Sequence, residues 1–129
     1  MQILPEGEKN TTDVSWEDQQ KINEFSTLIT RKDRFSEQLK GYQTEKEFLD
    51  DLSMEIELLD EDDDVNYKVG DAFILLKQSE AVDKLEKQNA HLDSEIMRLE
   101  LQIEELDGKL AELKKRLYAK FGTAINLER

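Results

Sequence analysis

DEDDDVNYKVGDAFILLKQSE, residues 60–80, interrupts a sequence that otherwise has the periodicity of long helices. Residues 65–69 alternate apolar and polar side chains, as a half-buried strand does. Gly70-Asp71 is a two-residue turn signal of the Gly-X type. Residues 72–76 are apolar on both faces. We therefore predict a β-hairpin over about residues 65–76, preceded by an acidic run.

A hairpin of this composition is not expected to stand alone. An isolated two-stranded hairpin is marginally stable in water, and apolar strand edges promote pairing with other chains. Phe73 and Leu75 should point to one face, and Ile74 and Leu76 to the other. We therefore predict that the hairpin completes its sheet with strands from other chains. The predicted interface residues are Val65, Tyr67, Val69, Phe73, Ile74, Leu75 and Leu76.

Long helices are predicted on both sides of the hairpin. The first spans about residues 15–59, and its apolar seam is imperfect because Lys32 and Lys46 occupy two seam positions. The second spans about residues 80–121 and alternates apolar steps of three and four, which is a strong coiled-coil signal. Asn89, its polar member, is either a tolerated defect or a device that fixes the pairing register. The second seam consists of Val82, Leu85, Asn89, Leu92, Ile96, Leu99, Ile103, Leu106, Leu110, Leu113 and Leu117.

Two helices of similar length, joined by about twenty residues, predict an antiparallel pair. The first helix begins with acidic residues 17–18 and the second ends with a basic stretch, residues 114–120, so antiparallel pairing brings opposite charges together. The numbers of facing residues should then sum to about 140, which places Ile22 near Tyr118. The predicted fold is mainly α: a long antiparallel two-helix coiled coil with one inserted β-hairpin.

Composition narrows the classes of protein to which the chain can belong. Its 129 residues suffice for one domain and carry a net charge of −13, with no cysteine. Such an acidic chain is not expected to bind nucleic acid or anionic membranes. The lack of cysteine excludes disulfides and thiolate metal sites, and it fits a reducing compartment. We expect no signal peptide or membrane span. The predicted parts are a flexible N-terminal segment at 1–12 and one domain at 13–128, which includes most of a C-terminal tail at 122–129.

The sequence contains no convincing catalytic or metal-binding motif. Residues 60–71 partly match a calcium loop, but Val65 replaces the turn glycine and Asp71 replaces the longer bidentate glutamate. His91, the single histidine, falls outside the seam on the solvent face. We predict that the protein is not an enzyme and uses no metal or other cofactor. A calcium-sensing helical protein remains an alternative.

Apolar side chains also gather where the start of the first helix meets the end of the second. The pairing rule places Trp16 near Ala124 at this end. The cluster either only seals the coiled coil or forms a partly exposed tip that grips other apolar chains. A tail that folds back would hide such a tip. The predicted tip residues are Trp16, Ile22, Phe25, Leu117, Tyr118, Phe121 and Ile125.

Three blocks of sequence, in this order and spacing, resemble the β-type subunits of the prefoldin family. They are WEDQQKINEF (16–25), YKVGDAFI (67–74) and LYAKFGTAINLE (117–128). The resemblance extends from about residue 13 to residue 128, with Trp16 where the family often has Phe. Three ordered blocks are more specific than a heptad pattern, which coiled coils share.

The resemblance implies a function as well as a fold. Prefoldin is an ATP-independent cytosolic chaperone of two α-type and four β-type subunits, whose hairpins assemble into a double β-barrel. Its distal tips hold unfolded polypeptides, notably actin and tubulin, for delivery to the cytosolic chaperonin. We therefore expect a cytoplasmic location, compatible with a nuclear one, and partnership with five other prefoldin subunits. The alternative is a passive coiled-coil scaffold whose hairpin only dimerises.

Overall fold

A computed structural model describes residues 2–3, 15–122 and 125–127. Along the chain, strand β1 (Gln2–Ile3) is followed by helix α1 (Trp16–Glu57), strands β2 (Asp64–Val69) and β3 (Ala72–Lys77), helix α2 (Gln78–Phe121) and strand β4 (Ile125–Asn126). The predicted architecture, two long helices with a β-hairpin between them, is confirmed. β1 and β4 were not predicted. Gln2–Ile3, expected within a flexible segment, pairs with the other end of the chain.

Both helices begin at residues that can cap them. Ser15 accepts a hydrogen bond from the Asp18 amide (3.1 Å), and the Asp18 carboxylate accepts one from the Ser15 amide (3.2 Å). This reciprocal arrangement is a capping box with aspartate as its acidic member. α2 starts two residues earlier than predicted, because β3 runs directly into it and the Glu80 carboxylate accepts a bond from the Lys77 amide (3.4 Å).

The described chain forms two compact units, a terminal unit (residues 1–37 and 101–129) and a hairpin unit (residues 38–100). In the hairpin unit, the two helices and the hairpin share one apolar core. Its half-buried members are Tyr42, Leu52, Val65, Leu76 and Val82. Its fully buried members are Leu49, Ile56, Tyr67, Ala81, Leu85 and Leu92.

The core of the terminal unit, called the tip cluster below, contains residues from the first part of α1, from the last part of α2 and from the described segment 125–127. Ile29, Phe35 and Tyr118 pack against it and remain partly exposed. Its buried members are Ile22, Phe25, Leu28, Leu106, Leu110, Leu113, Leu117, Phe121, Ile125 and Leu127. Ile22 belongs to this cluster and Tyr118 packs against it, as the predicted pairing of the helix ends requires. Trp16 is exposed, and Ala124 lies outside the described residues.

Ion pairs between α1 and α2 show the predicted antiparallel register within each unit. In the terminal unit, Asp18 pairs with Lys120, and Lys32 lies 2.5 Å from Asp107. In the hairpin unit, Lys46 lies 2.5 Å from Asp93. The residue numbers of each pair sum to within two of the predicted 140. The lysines that interrupt the first seam therefore have acidic partners on the facing helix.

Candidate functional site

The hairpin turn has the conformation that its sequence predicts. Gly70 has a φ of 60°, which places it in the left-handed region that glycine adopts without steric cost. The two-residue loop sets an uninterrupted antiparallel register, in which Val69 faces Ala72 and Asp64 faces Lys77. An ion pair of 2.9 Å between Lys77 and Asp64 joins the open end of the hairpin.

One face of the hairpin packs on the chain's own helices. Tyr67 is only 7% exposed, and its hydroxyl donates a hydrogen bond to the side-chain carbonyl of Gln88 on α2. Burial raises the pKa of this phenol above its ordinary value. Nearby, the Gln78 side-chain amide donates to the Ile56 carbonyl (3.1 Å), which ties the start of α2 to the last turns of α1. The hairpin is therefore anchored firmly on one side.

The opposite face of the hairpin is open and carries two large apolar side chains. Phe73 and Leu75 are each 66% exposed and lie opposite Lys68 and Asn66 on β2. Within the part of the chain that the structure describes, β2 and β3 pair only with each other, so each keeps an unpaired outer edge. An exposed apolar face with free edges favours the addition of further strands.

The predicted interface divides between these two faces. Phe73 and Leu75 lie on the open face, and Val69 and Ile74 are also exposed. Tyr67, in contrast, belongs to the intrachain core, and Val65 and Leu76 are half-buried against that core. These three residues therefore pack on the chain's own helices, and the role of the seven residues in a subunit interface stays a prediction.

Sequence reasoning missed an apolar groove beside the hairpin. A depression of about 440 Å³ is lined by residues that include Phe48, Leu52, Tyr67 and Phe73. Phe48 falls outside the apolar seam of the first helix, which includes its neighbour Leu49, and it is an exposed aromatic residue. A large apolar side chain outside the seam is the sequence feature that could have indicated this groove. Phe48 extends the apolar surface beyond the hairpin.

The predicted tip residues are brought together, but most of them are buried. Ile22, Phe25, Leu117, Phe121 and Ile125 all lie inside the tip cluster. Their burial fits the alternative in which the cluster seals the end of the coiled coil, and their role in binding a polypeptide stays a prediction. Contact between these side chains and a bound polypeptide would require the cluster to open.

Two predicted tip residues remain accessible. Trp16 is 76% exposed at the start of α1. Tyr118 is half-buried, and its hydroxyl accepts a hydrogen bond from the Leu127 amide (3.2 Å). Trp16 is thus the large apolar side chain that this end presents to solvent, and Tyr118 links the tail to α2.

Opposite charges meet at this end, as predicted. The Asp18 carboxylate accepts hydrogen bonds from Lys120 and from the Ser15 hydroxyl (2.9 Å). These partners, Lys120 above all, hold the pKa of Asp18 below its ordinary value near 3.8. Asp18 is almost fully buried. The contact joins the first turn of α1 to the last turn of α2.

Among residues 2–3, 15–122 and 125–127, no group of three or more His, Asp or Glu side chains is placed to hold a metal ion. His91 is exposed. No described helix is long and apolar enough to cross a membrane. The arrangement is suited to binding other polypeptides through apolar surfaces.

Comparisons with known proteins agree with this architecture. The family described as prefoldin subunit matches residues 19–124. The chain is 55% identical over 129 residues to prefoldin subunit 4 of Saccharomyces cerevisiae, with both chains covered completely. It is 40% identical over 116 residues to prefoldin subunit 4 of Homo sapiens, covering 89% of this chain and 87% of the relative.

A solved structure has the same fold. The crystal structure of the prefoldin beta subunit from Thermococcus strain KS-1 superposes with a TM-score of 0.78 at 21% identity, covering 87% of this chain and 98% of the other. At this identity the likeness concerns the fold alone. Since the family match spans most of the sequence and a relative of equal length is 55% identical, the chain belongs to the prefoldin subunit family.

Proposed function

We propose that this chain is one subunit of a heterohexameric chaperone, assembled with five other prefoldin subunits, two α-type and three further β-type. Its hairpin would supply two strands to a β-barrel shared among the subunits. The relatives it matches are themselves described as subunits, which supports a role within an assembly.

One observation carries the assembly proposal: the open face of the hairpin. Phe73 and Leu75 expose apolar surface on a two-stranded sheet whose outer edges are unpaired in the described chain. Neighbouring strands would cover that surface and satisfy the edge hydrogen bonds. Burial of one such side chain contributes about 1.5–3 kcal/mol. The pair therefore supplies a substantial part of the free energy of assembly.

The proposed activity is to hold unfolded polypeptides without ATP. Actin and tubulin are the proposed clients, and the cytosolic chaperonin is the proposed receiver. Weak apolar contacts from several subunit ends, tethered in one particle, would multiply through effective concentration. The exposed Trp16 supports the involvement of this helix end. The proposed location is the cytoplasm, and a nuclear location is compatible with the same role.

The test is reconstitution with the five other subunits, followed by native mass measurement. The wild-type chain should enter one particle of six subunits as a single copy, and that particle should suppress aggregation of denatured actin without ATP. Phe73→Ser combined with Leu75→Ser should weaken assembly by about 100-fold or more, since about 3–6 kcal/mol of apolar burial is lost. The matched control is Met97→Ser with Leu101→Ser, two similarly exposed apolar residues on α2.

Two results would contradict the proposal. A homodimer or homotetramer that ignores the other subunits would favour a passive scaffold instead. A complete hexamer that leaves the aggregation of denatured actin unchanged would separate assembly from chaperone activity and would overturn the latter.

A further inference from the structure

The tail segment, residues 125–127, lies on the apolar end of the terminal unit as an extended peptide. α2 ends at Phe121, and Gly122 follows with a φ of 57°, a left-handed conformation that suits glycine and ends the helix. Ile125 and Leu127 are only 4% and 3% exposed, and both belong to the tip cluster. Side chains two residues apart project from the same side of an extended segment.

Apart from the burial of Ile125 and Leu127, the described contacts of the tail segment are one hydrogen bond and a short strand pair. The Leu127 amide donates a hydrogen bond of 3.2 Å to the Tyr118 hydroxyl. The backbone of residues 125–126 pairs with Gln2–Ile3. A two-residue strand pair is too short to be stable by itself, and small elements at chain ends open more readily than helix cores. We therefore expect the tail segment to open more readily than the paired helices.

We propose that the tail segment is an internal occupant of the client site, and that an unfolded polypeptide displaces it. This inference rests on the client-holding function proposed above. The occupant itself defines the chemistry of the ligand: an extended segment with large aliphatic side chains at positions i and i+2. Phe25, Leu117 and Phe121 lie in the same cluster as the tail, so departure of the tail would uncover apolar surface of that cluster.

The test uses the hexamer reconstituted with either the wild-type chain or the Ile125→Ser/Leu127→Ser variant. The probe is a fluorescein-labelled peptide, GTAINLER, which copies residues 122–129. Its matched control has serine at the positions of Ile125 and Leu127. A tail that occupies the site in nine of ten molecules lowers the apparent affinity about tenfold. We therefore expect the variant hexamer to bind the probe at least about tenfold more tightly than the wild type.

The variant hexamer should also hold denatured actin more tightly, while neither hexamer binds the serine control peptide. Equal probe binding by wild type and variant would overturn the proposal. So would weaker holding of denatured actin by an intact variant hexamer, which would make the tail part of the client site. A wild-type hexamer that holds no denatured protein at all would overturn the proposed function. Probe binding measures the occupancy of the site by the tail separately, so the two failures can be distinguished.

Hydrogen exchange on the wild-type hexamer tests the same proposal without any substitution, in case the variant does not fold. Denatured actin should speed exchange of the amides at residues 125–127, including the Leu127 amide that is bonded to Tyr118. Amides in the middle of α2 should be unaffected. Unchanged or slower exchange at residues 125–127 would overturn the proposal.

Discussion

At the scale of single residues, Asp18 combines two roles. It completes the cap of α1 with Ser15 and accepts a hydrogen bond from Lys120 at the end of α2. These partners favour its charged form, so the pKa of Asp18 is lower in the folded chain than in the unfolded chain. The stabilisation is therefore complete above the unfolded pKa, near 3.8, and is lost as the pH falls through the folded pKa.

The first prediction follows from the direction in which the pKa of Asp18 is shifted. Asp18→Asn should lower the melting temperature at pH 7, because the charged partner of Lys120 is lost. Below about pH 4 the variant should lose less further stability than the wild type, because it has no carboxylate to protonate there. Thermal unfolding from pH 7 to pH 2 measures both effects. Glu17→Gln, an exposed acid in the same helical turn, is the control. Parallel pH profiles for Asp18→Asn and wild type would contradict the prediction.

At the scale of elements, the sequence predicts whatever depends on local periodicity. The α2 seam is an unbroken series of steps of three and four, and Leu85, Leu92, Leu99 and Leu106 are all buried as it requires. The Gly70 turn likewise follows from local chemistry. Strand alternation does not reveal which hairpin face meets the chain's own helices, so Tyr67 was assigned to the interface.

The tail could not be predicted in the same way. A strand of two residues has no measurable period, and the partner of Ile125–Asn126 lies at the opposite end of the sequence. Whether the predicted tip residues are exposed depends on where this tail lies. The sequence therefore predicts which residues gather at the helix ends, but it leaves open whether the tail folds back onto them.

The second prediction concerns pairing of the helices through Lys46. Its ammonium group lies 2.5 Å from Asp93 and 3.3 Å from the side-chain oxygen of Asn89. The hydrogen bond with Asp93 raises the pKa of Lys46 above its ordinary value, which favours the charged ammonium group. This contact supports the interpretation of Asn89 as a residue that fixes the pairing register, since an aliphatic side chain could not accept a hydrogen bond from Lys46.

Lys46→Asp should lower the melting temperature, because it places an acid opposite Asp93. Adding Asp93→Lys should recover most of that loss, since the exchanged pair restores opposite charges. Lys40→Asp, an equal charge change at an exposed position of α1, serves as the control. A double variant as unstable as Lys46→Asp alone would show that the register does not depend on this pair. Thermal unfolding of the wild type, Lys46→Asp, Asp93→Lys and the double variant, analysed as a double-mutant cycle, isolates the coupling between the two residues.

At the scale of the whole molecule, the two compact units correspond to two proposed roles. The hairpin unit carries the open face with Phe73 and Leu75, and the terminal unit carries the tip cluster with its tail. Leu85 and Leu117 offer a matched comparison, because each is a leucine of α2 that is only 1% exposed, and they lie in different cores. Replacing either with alanine should cost about 2–5 kcal/mol of stability.

The third prediction is that these equal losses have different functional consequences. Leu85→Ala removes support from the core on which Tyr67 anchors the hairpin, so it should weaken entry into the hexamer. Leu117→Ala loosens the cluster that buries Phe25 and the tail, so it should leave assembly intact and change the holding of denatured actin. Native mass and aggregation assays on the same samples separate these effects. If both variants lowered assembly and holding in the same proportion, the two units would not act separately, and each substitution would act only through overall stability.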